Sequence, residues 1–199
     1  MTTLAFSPDG RGLLTGSWDG SVQRWDVATG LPHGEPLHHQ GPIMAVAYSP
    51  DGLRFLSVSR DATGQVWDCA TGKPVGQPLQ HDQPILTAVF SENGRMVLTG
   101  SADRTARLWE ASSGRPLGPA FSHHESVLSV GLSADGSSIS VVGASLTSRI
   151  WPMPLPVEGT VEGIRNWVEV LTGQTMDGEG RIRSLESEEW LRRKASGRK

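Results

Sequence analysis

Apolar and polar positions alternate in short bursts along most of this chain. In ILTAVF, RMVLTG and TARLWE, which end at Phe90, Gly100 and Glu110, the bursts stop at SENG, SADR and ASSG. A period of two bounded by Ser, Asp, Asn and Gly predicts strands joined by tight turns. A proline-containing extended run, RPLGPAF, leads on to His123 and supplies a fourth strand. In the turn SPDG, proline fixes φ at the second turn position and glycine accepts a positive φ, so the first two strands of the unit fold back on each other.

The unit recurs. LLTGSWDGSVQRWDVATG, Leu13 to Gly30, returns 42 residues later as FLSVSRDATGQVWDCATG, again 42 later as VLTGSADRTARLWEASSG, and a fourth time, altered, as VVGASLTSRIWP. The turns SPDG, SPDG, SENG and SADG follow Phe6, Tyr48, Phe90 and Leu132; Trp25, Trp67, Trp109 and Trp151 keep the same interval, as do His39, His81 and His123. A four-stranded meander of this size cannot bury both of its faces alone, so neighbours must stack, which is the logic of a propeller.

These residues resemble WD40 repeats, in which a period of about 40 to 45, four strands per blade and a His to Trp-Asp signature recur. The pair stands as Trp25-Asp26 and Trp67-Asp68 and weakens to Trp109-Glu110 and Trp151-Pro152. The resemblance implies a buried hydrogen-bond chain in each blade: His39, Ser57, Asp61 and Trp67 in one, His81, Thr99, Asp103 and Trp109 in the next. A buried imidazole and carboxylate are costly alone; paired, they fix loop geometry, each bond netting about 0.5–1.5 kcal/mol. The first blade has Thr15, Asp19 and Trp25 and no histidine; the fourth has His123 and Trp151 but Val141 and Ser145 at the Ser/Thr and Asp positions.

The expected fold is therefore all-β over residues 1–152: three complete four-stranded blades and a three-stranded fourth, a partial propeller. Met1 stands mid-repeat, before the TTLAF strand, which predicts the C-terminal part of a longer array or a truncated gene. The alternative is a four-blade arc that pairs edge to edge with a second copy, because unpaired strand edges invite pairing.

From Glu158 the period disappears. Ile164, Trp167, Val168 and Leu171 fall on one helical face, Gly173 supplies a stop, DGEG at Asp177 to Gly180 marks a turn, and a second short helix is expected after Ser187. Residues 153–199 thus read as a small, mostly helical tail, a helix-turn-helix. This tail, with the phrasing SPDGRGLLTGS and PVGQPLQHD, resembles the C-terminal end of large bacterial serine/threonine kinases that carry WD40 arrays. That implies a signalling role as the sensor or docking segment of a kinase located upstream. The chain itself has no Gly-rich phosphate loop before a strand, no HRD-type loop and no DFG.

Composition narrows the function. With 18 Lys and Arg against 21 Asp and Glu, there is no basic footprint for nucleic acid or an anionic membrane. No stretch reaches the ~20 apolar residues of a membrane span, the start MTTLAFSPDG is not a signal peptide, and the lone Cys69 excludes a cysteine-built zinc site and an intrachain disulfide, so a cytoplasmic chain is expected. His38-His39 and His123-His124 lack a third metal ligand, and His39, Ser57 and Asp61 imitate a hydrolase triad without an oxyanion motif. No catalytic residue, metal or cofactor is expected. The remaining class is an interaction module or scaffold for a protein or peptide partner. The residue before each turn aspartate, Trp18, Arg60 and Ala102, is expected at the narrow face, and the resemblance adds the first-strand positions Thr2, Met44, Leu86 and Leu128. Trp and Arg dominate binding energy most often, which favours Trp18 and Arg60.

Overall fold

The computed structural model describes residues 2–153, 174–176 and 182–184. The chain divides into two compact units, Met1–Trp151 and Pro152–Lys199.

The first unit is a row of antiparallel meanders, each ordered as it runs in sequence. Blade 1 holds β1 (Thr3–Phe6), β2 (Gly12–Gly16), β3 (Ser21–Asp26) and β4 (Leu37–His38). Blade 2 holds β5 (Ile43–Tyr48), β6 (Arg54–Ser59), β7 (Thr63–Asp68) and β8 (Pro74–Gln80). Blade 3 holds β9 (Ile85–Phe90), β10 (Met96–Ser101), β11 (Thr105–Glu110) and β12 (Phe121–Ser122). Blade 4 has three strands, β13 (Val127–Leu132), β14 (Ser138–Gly143) and β15 (Ser148–Pro152). The all-β architecture of three four-stranded blades and a three-stranded fourth matches the expectation from the period.

Local chemistry closes each hairpin. In the β5–β6 turn the Ser49 carbonyl accepts from Gly52 N at 2.9 Å, the Ser49 hydroxyl donates to Asp51 Oδ1 at 2.6 Å, and Asp51 Oδ1 accepts from Leu53 N at 3.0 Å. Gly52 takes φ 70°, the left-handed conformation that a residue with a Cβ rarely adopts.

Blades pack face to face, and the core lies in the seams. Leu14 and Val22 of blade 1 meet Ile43, Val46 and Phe55 of blade 2, with Tyr48, Trp67 and Cys69 against them. Leu56, Val58, Val66 and Leu79 of blade 2 meet Ile85, Ala88, Val97, Trp109 and Ala111 of blade 3. Phe55, Leu56 and Ile85 are wholly buried, and each such side chain stabilises by about 1.5–3 kcal/mol relative to exposure. The seams are close: a Cβ at Gly16 would stand 2.5 Å from Ile43 Cγ2, and one at Gly100 would stand 2.5 Å from Val127 Cγ1.

In the second unit, β16 (Gln174–Met176) pairs antiparallel with β17 (Ile182–Ser184), Thr175 opposite Arg183. The described residues of the tail are thus a strand pair. The helix expected over Ile164–Leu171, the DGEG turn and the helix expected after Ser187 lie outside the described residues.

Candidate protein-interaction surface

Alternation fixes both ends of each blade. The SPDG-type turns and the turns after the tryptophan strands lie at one end, and the β2–β3, β6–β7, β10–β11 and β14–β15 turns lie at the other. The first three of these latter turns carry Asp19, Asp61 and Asp103 and the residue before each of them, and the fourth has Ser145 in that place.

Blade 3 shows how that end is held. His81 Nδ1 lies 2.8 Å from Asp103 Oδ2, His81 Nε2 lies 2.7 Å from Thr99 Oγ1, and Trp109 Nε1 donates to the same hydroxyl at 2.8 Å. Asp103 Oδ1 accepts from Thr105 N and Oγ1 at 2.9 and 2.7 Å, which closes the turn. Burial holds the His81 imidazole below its usual pKa despite the pull of Asp103, so the ring is neutral. Its proton then sits on Nδ1 facing the carboxylate, and Thr99 donates to Nε2 while accepting from Trp109. For Asp103, burial alone would raise the pKa; the bonds from Thr105 and His81 outweigh it and keep the carboxyl ionised.

Blade 2 builds the same chain with one difference. His39 Nε2 lies 2.8 Å from Ser57 Oγ, and Trp67 Nε1 donates to Ser57 Oγ at 2.8 Å. His39 Nδ1, however, is 3.4 Å from Asp61 Oδ2 and 3.1 Å from Thr63 Oγ1. Thr63 donates onward to Asp61 Oδ1 at 2.7 Å, so the hydroxyl relays the contact, and Asp61 Oδ2 accepts from Gln40 N at 2.8 Å. Burial again lowers the His39 pKa. In blade 1, Trp25 Nε1 donates to Thr15 Oγ1 at 2.8 Å, and Asp19 accepts from Ser21 Oγ and N at 2.6 and 2.9 Å, bonds that bring its pKa down to about 2.

Blade 4 departs from the pattern in a way that sequence reasoning missed. Val141 leaves His123 Nε2 buried without a partner. The carboxylate absent at Ser145 comes from across the gap: Glu125 accepts from Ser145 N at 2.7 Å and from Ser145 Oγ at 2.5 Å, and Glu125 N donates to His123 Nδ1 at 3.3 Å. The signal was Glu125 standing in phase with Gly41 and Gln83.

On the outer surface of this end, Trp18 is 60% exposed and the Arg60 guanidinium lies 5.9 Å from its ring centroid. The two side chains come from adjacent blades, so they bridge a seam. Arg60 N donates to Pro42 O at 2.9 Å, which anchors the turn to the start of the neighbouring first strand. Ala102 is half-buried. Met44 is half-buried against the seam between blades 2 and 3, Leu86 is half-buried, and Leu128 is exposed. Each of these three sits where the register of its first strand slips, between Ile43 and Ala45, opposite Gly100/Ser101, and between Val127 and Ser129. Such bulges re-aim a side chain. Thr2 donates to Ile43 O at 2.7 Å, tying blade 1 to blade 2.

Among the described residues no group of three or more His, Cys, Asp or Glu is arranged to hold a metal ion, and no helix is long and apolar enough to cross a membrane.

The chain matches the family model "WD domain, G-beta repeat" over residues 1–26, 33–68 and 72–110, together more than half its length. It is also 41% identical over 46 residues to the Periodic tryptophan protein 2 homolog of Dictyostelium discoideum. That stretch covers 23% of this chain and 5% of the relative, so the chain spans only a small part of that protein's length. Blade architecture, the Trp–Ser/Thr–His–Asp chains and the matched repeats coincide, and the chain belongs to the WD40-repeat family.

Proposed function

We propose that this chain is a non-catalytic interaction module that captures a protein or peptide partner on the end of the blades bearing Trp18 and Arg60. One observation carries this reading: a tryptophan that is 60% exposed is braced by an arginine of the next blade. An exposed indole in water loses the apolar burial that justifies its size, and a stacked guanidinium contributes only about 0.5–1 kcal/mol at such a site. The brace does limit the rotamer freedom that binding would otherwise remove, which makes the pair a preorganised anchor. Leu128, Met44 and Leu86, at their bulges, extend the surface along the successive first strands.

The test is a peptide selected against the wild-type chain from a displayed library, with its affinity then measured for Trp18→Ala and Arg60→Ala. Trp18→Ala is expected to weaken binding by about tenfold or more with an unchanged far-ultraviolet circular dichroism spectrum. Unchanged affinity in both variants discards the site.

A second reading has its own observation, at the flanks of the row. Leu4 is 49% exposed, whereas its counterparts Val46, Ala88 and Val130 are each 7% exposed; Ile150 is 72% exposed, against 1% for Val66 and 7% for Leu108. These flanks present the surfaces that form the seams inside the row, so further blades, or the blades of a second copy, fit them. Light scattering at twice the 21.4 kDa chain mass, returning to one chain in Ile150→Glu, supports self-association; a single-chain mass for the wild type refutes it.

A further inference from the structure

At the opposite end of the blades, the seam between blades 1 and 2 opens into a cavity of about 460 Å³ lined by Arg24, Arg11, Tyr48, Trp25, Leu53 and Cys69, among others. Arg24 is the unusual member. Its counterparts in the next three blades are Val66, Leu108 and Ile150, so a guanidinium occupies a column that is otherwise aliphatic.

Arg24 is only 9% exposed. Its Nη1 donates to Cys69 O at 2.6 Å, its Cζ lies 5.9 Å from the Phe55 ring centroid, and its Nε is buried without a partner. None of the ion pairs among the described residues involves it. The backbone makes room for it: a Cβ at Gly34 or Gly72 would lie 2.7 or 2.9 Å from Arg24 Nη2. A buried guanidinium without an anion is costly, because one carbonyl and one ring face do not replace its hydration. The seam between blades 2 and 3 shows that the fold closes without it, since Val66 there is buried in an apolar cluster.

We infer that this cavity is a second ligand site, in which Arg24 receives the carboxylate of a small ligand or chain end with an apolar group attached. Tyr48 adds a donor, since burial pushes its phenol up to about 12 and keeps the hydroxyl protonated. Trp25 and Leu53 give the apolar group its contacts. Three carboxylates also line the cavity, and each is already engaged in its own turn: Asp9 accepts from Ser7 Oγ and Arg11 N, Asp26 from Thr29, and Asp51 from Ser49 Oγ and Leu53 N. Ionised, their three negative charges outnumber the two positive charges of Arg24 and Arg11 in the same lining, so the net field disfavours a phosphate dianion more than a singly charged carboxylate.

The experiment follows backbone amide NMR shifts of the full chain titrated with N-acetylleucine, N-acetylleucinamide or inorganic phosphate. N-acetylleucine is expected to shift Tyr48, Leu53 and Cys69 saturably, and the amide to bind at least about tenfold more weakly, the loss of one charge-assisted hydrogen-bonded contact. Arg24→Val, the residue of blade 2, is expected to remove binding; Arg24→Met, which keeps the aliphatic stem, is to do the same if the valine variant fails to fold. Equal binding of acid and amide, tighter binding of phosphate, no saturable shift, or full binding by a folded Arg24 variant each overturns the proposal.

Discussion

Replacing Thr99 by valine tests whether the blade 3 hydrogen-bond chain stabilises the fold. Thr99 is wholly buried, and its hydroxyl serves two partners at once, accepting from Trp109 Nε1 at 2.8 Å and facing His81 Nε2 at 2.7 Å. Valine has nearly the same shape and leaves no cavity, so the loss is one of hydrogen bonding. It orphans two polar atoms in residues that are 4% and 3% exposed. At about 1–3 kcal/mol for each buried unsatisfied group, the expected cost is about 2–6 kcal/mol. Thr15→Val in blade 1 provides the control, because Thr15 Oγ1 accepts from the half-buried Trp25 and donates, at 3.5 Å, to Gln23 O, and it meets no imidazole. Its cost should stay near the lower single-group figure of about 1 kcal/mol. Both are measured by urea denaturation followed by tryptophan fluorescence, with hydrogen exchange of the β9–β11 amides reporting whether blade 3 opens locally. Equal losses in the two variants would refute the view that the histidine link adds stability beyond the tryptophan bond.

Three further outcomes follow from the same geometry. His39 and His81 are held below their ordinary value of 6.5, so the unfolded chain takes up protons first; their contribution is complete above about 6.5 and is lost as pH falls through it, with Asp61 and Asp103 adding loss below 3.8. A urea midpoint that stays flat from neutral pH down to about 5 contradicts this. Val141→Thr gives the orphaned His123 Nε2 a partner and should stabilise the fold by about 1 kcal/mol; a lowered midpoint counts against it. Gly100→Ala drives a methyl to 2.5 Å from Val127 and 2.8 Å from Thr87, so it should cost about 1–3 kcal/mol, and a neutral melting temperature would show that the seam yields.

The blades were legible because stacking repeats demand the same apolar faces and the same turns every 42 residues. The polar letters were legible for a related reason: a buried histidine needs its partners at fixed offsets, and Thr99 and Asp103 stand at those offsets from His81. What escaped notice were residues whose position defies their type. Arg24 reads as a solvent-facing charge in an alternating strand, and only its place in the column of Val66 and Leu108 betrays burial. Glu125 escaped because the carboxylate moved from the turn to the facing loop, a repeat position held by the uncharged Gly41 and Gln83 in the preceding blades. The relay through Thr63 likewise rests on a small difference in ring placement: His39 Nδ1 stands 3.4 Å from Asp61 where His81 Nδ1 stands 2.8 Å from Asp103, and Gln40 N bonds Asp61 at 2.8 Å where Asp82 N bonds Asp103 at 3.3 Å.

A chain assembled by copying one 42-residue unit has no built-in order, since each unit offers the same two faces and connectivity alone tells them apart. The Arg24 seam supplies an order. Set against the third unit, the guanidinium would find Val97 where the Phe55 ring now stands and Phe90 in place of Tyr48; against the fourth, Ile139 and Leu132. The first blade thus carries an address that its present neighbour answers, and shuffled copies of the same units would carry it to the wrong door.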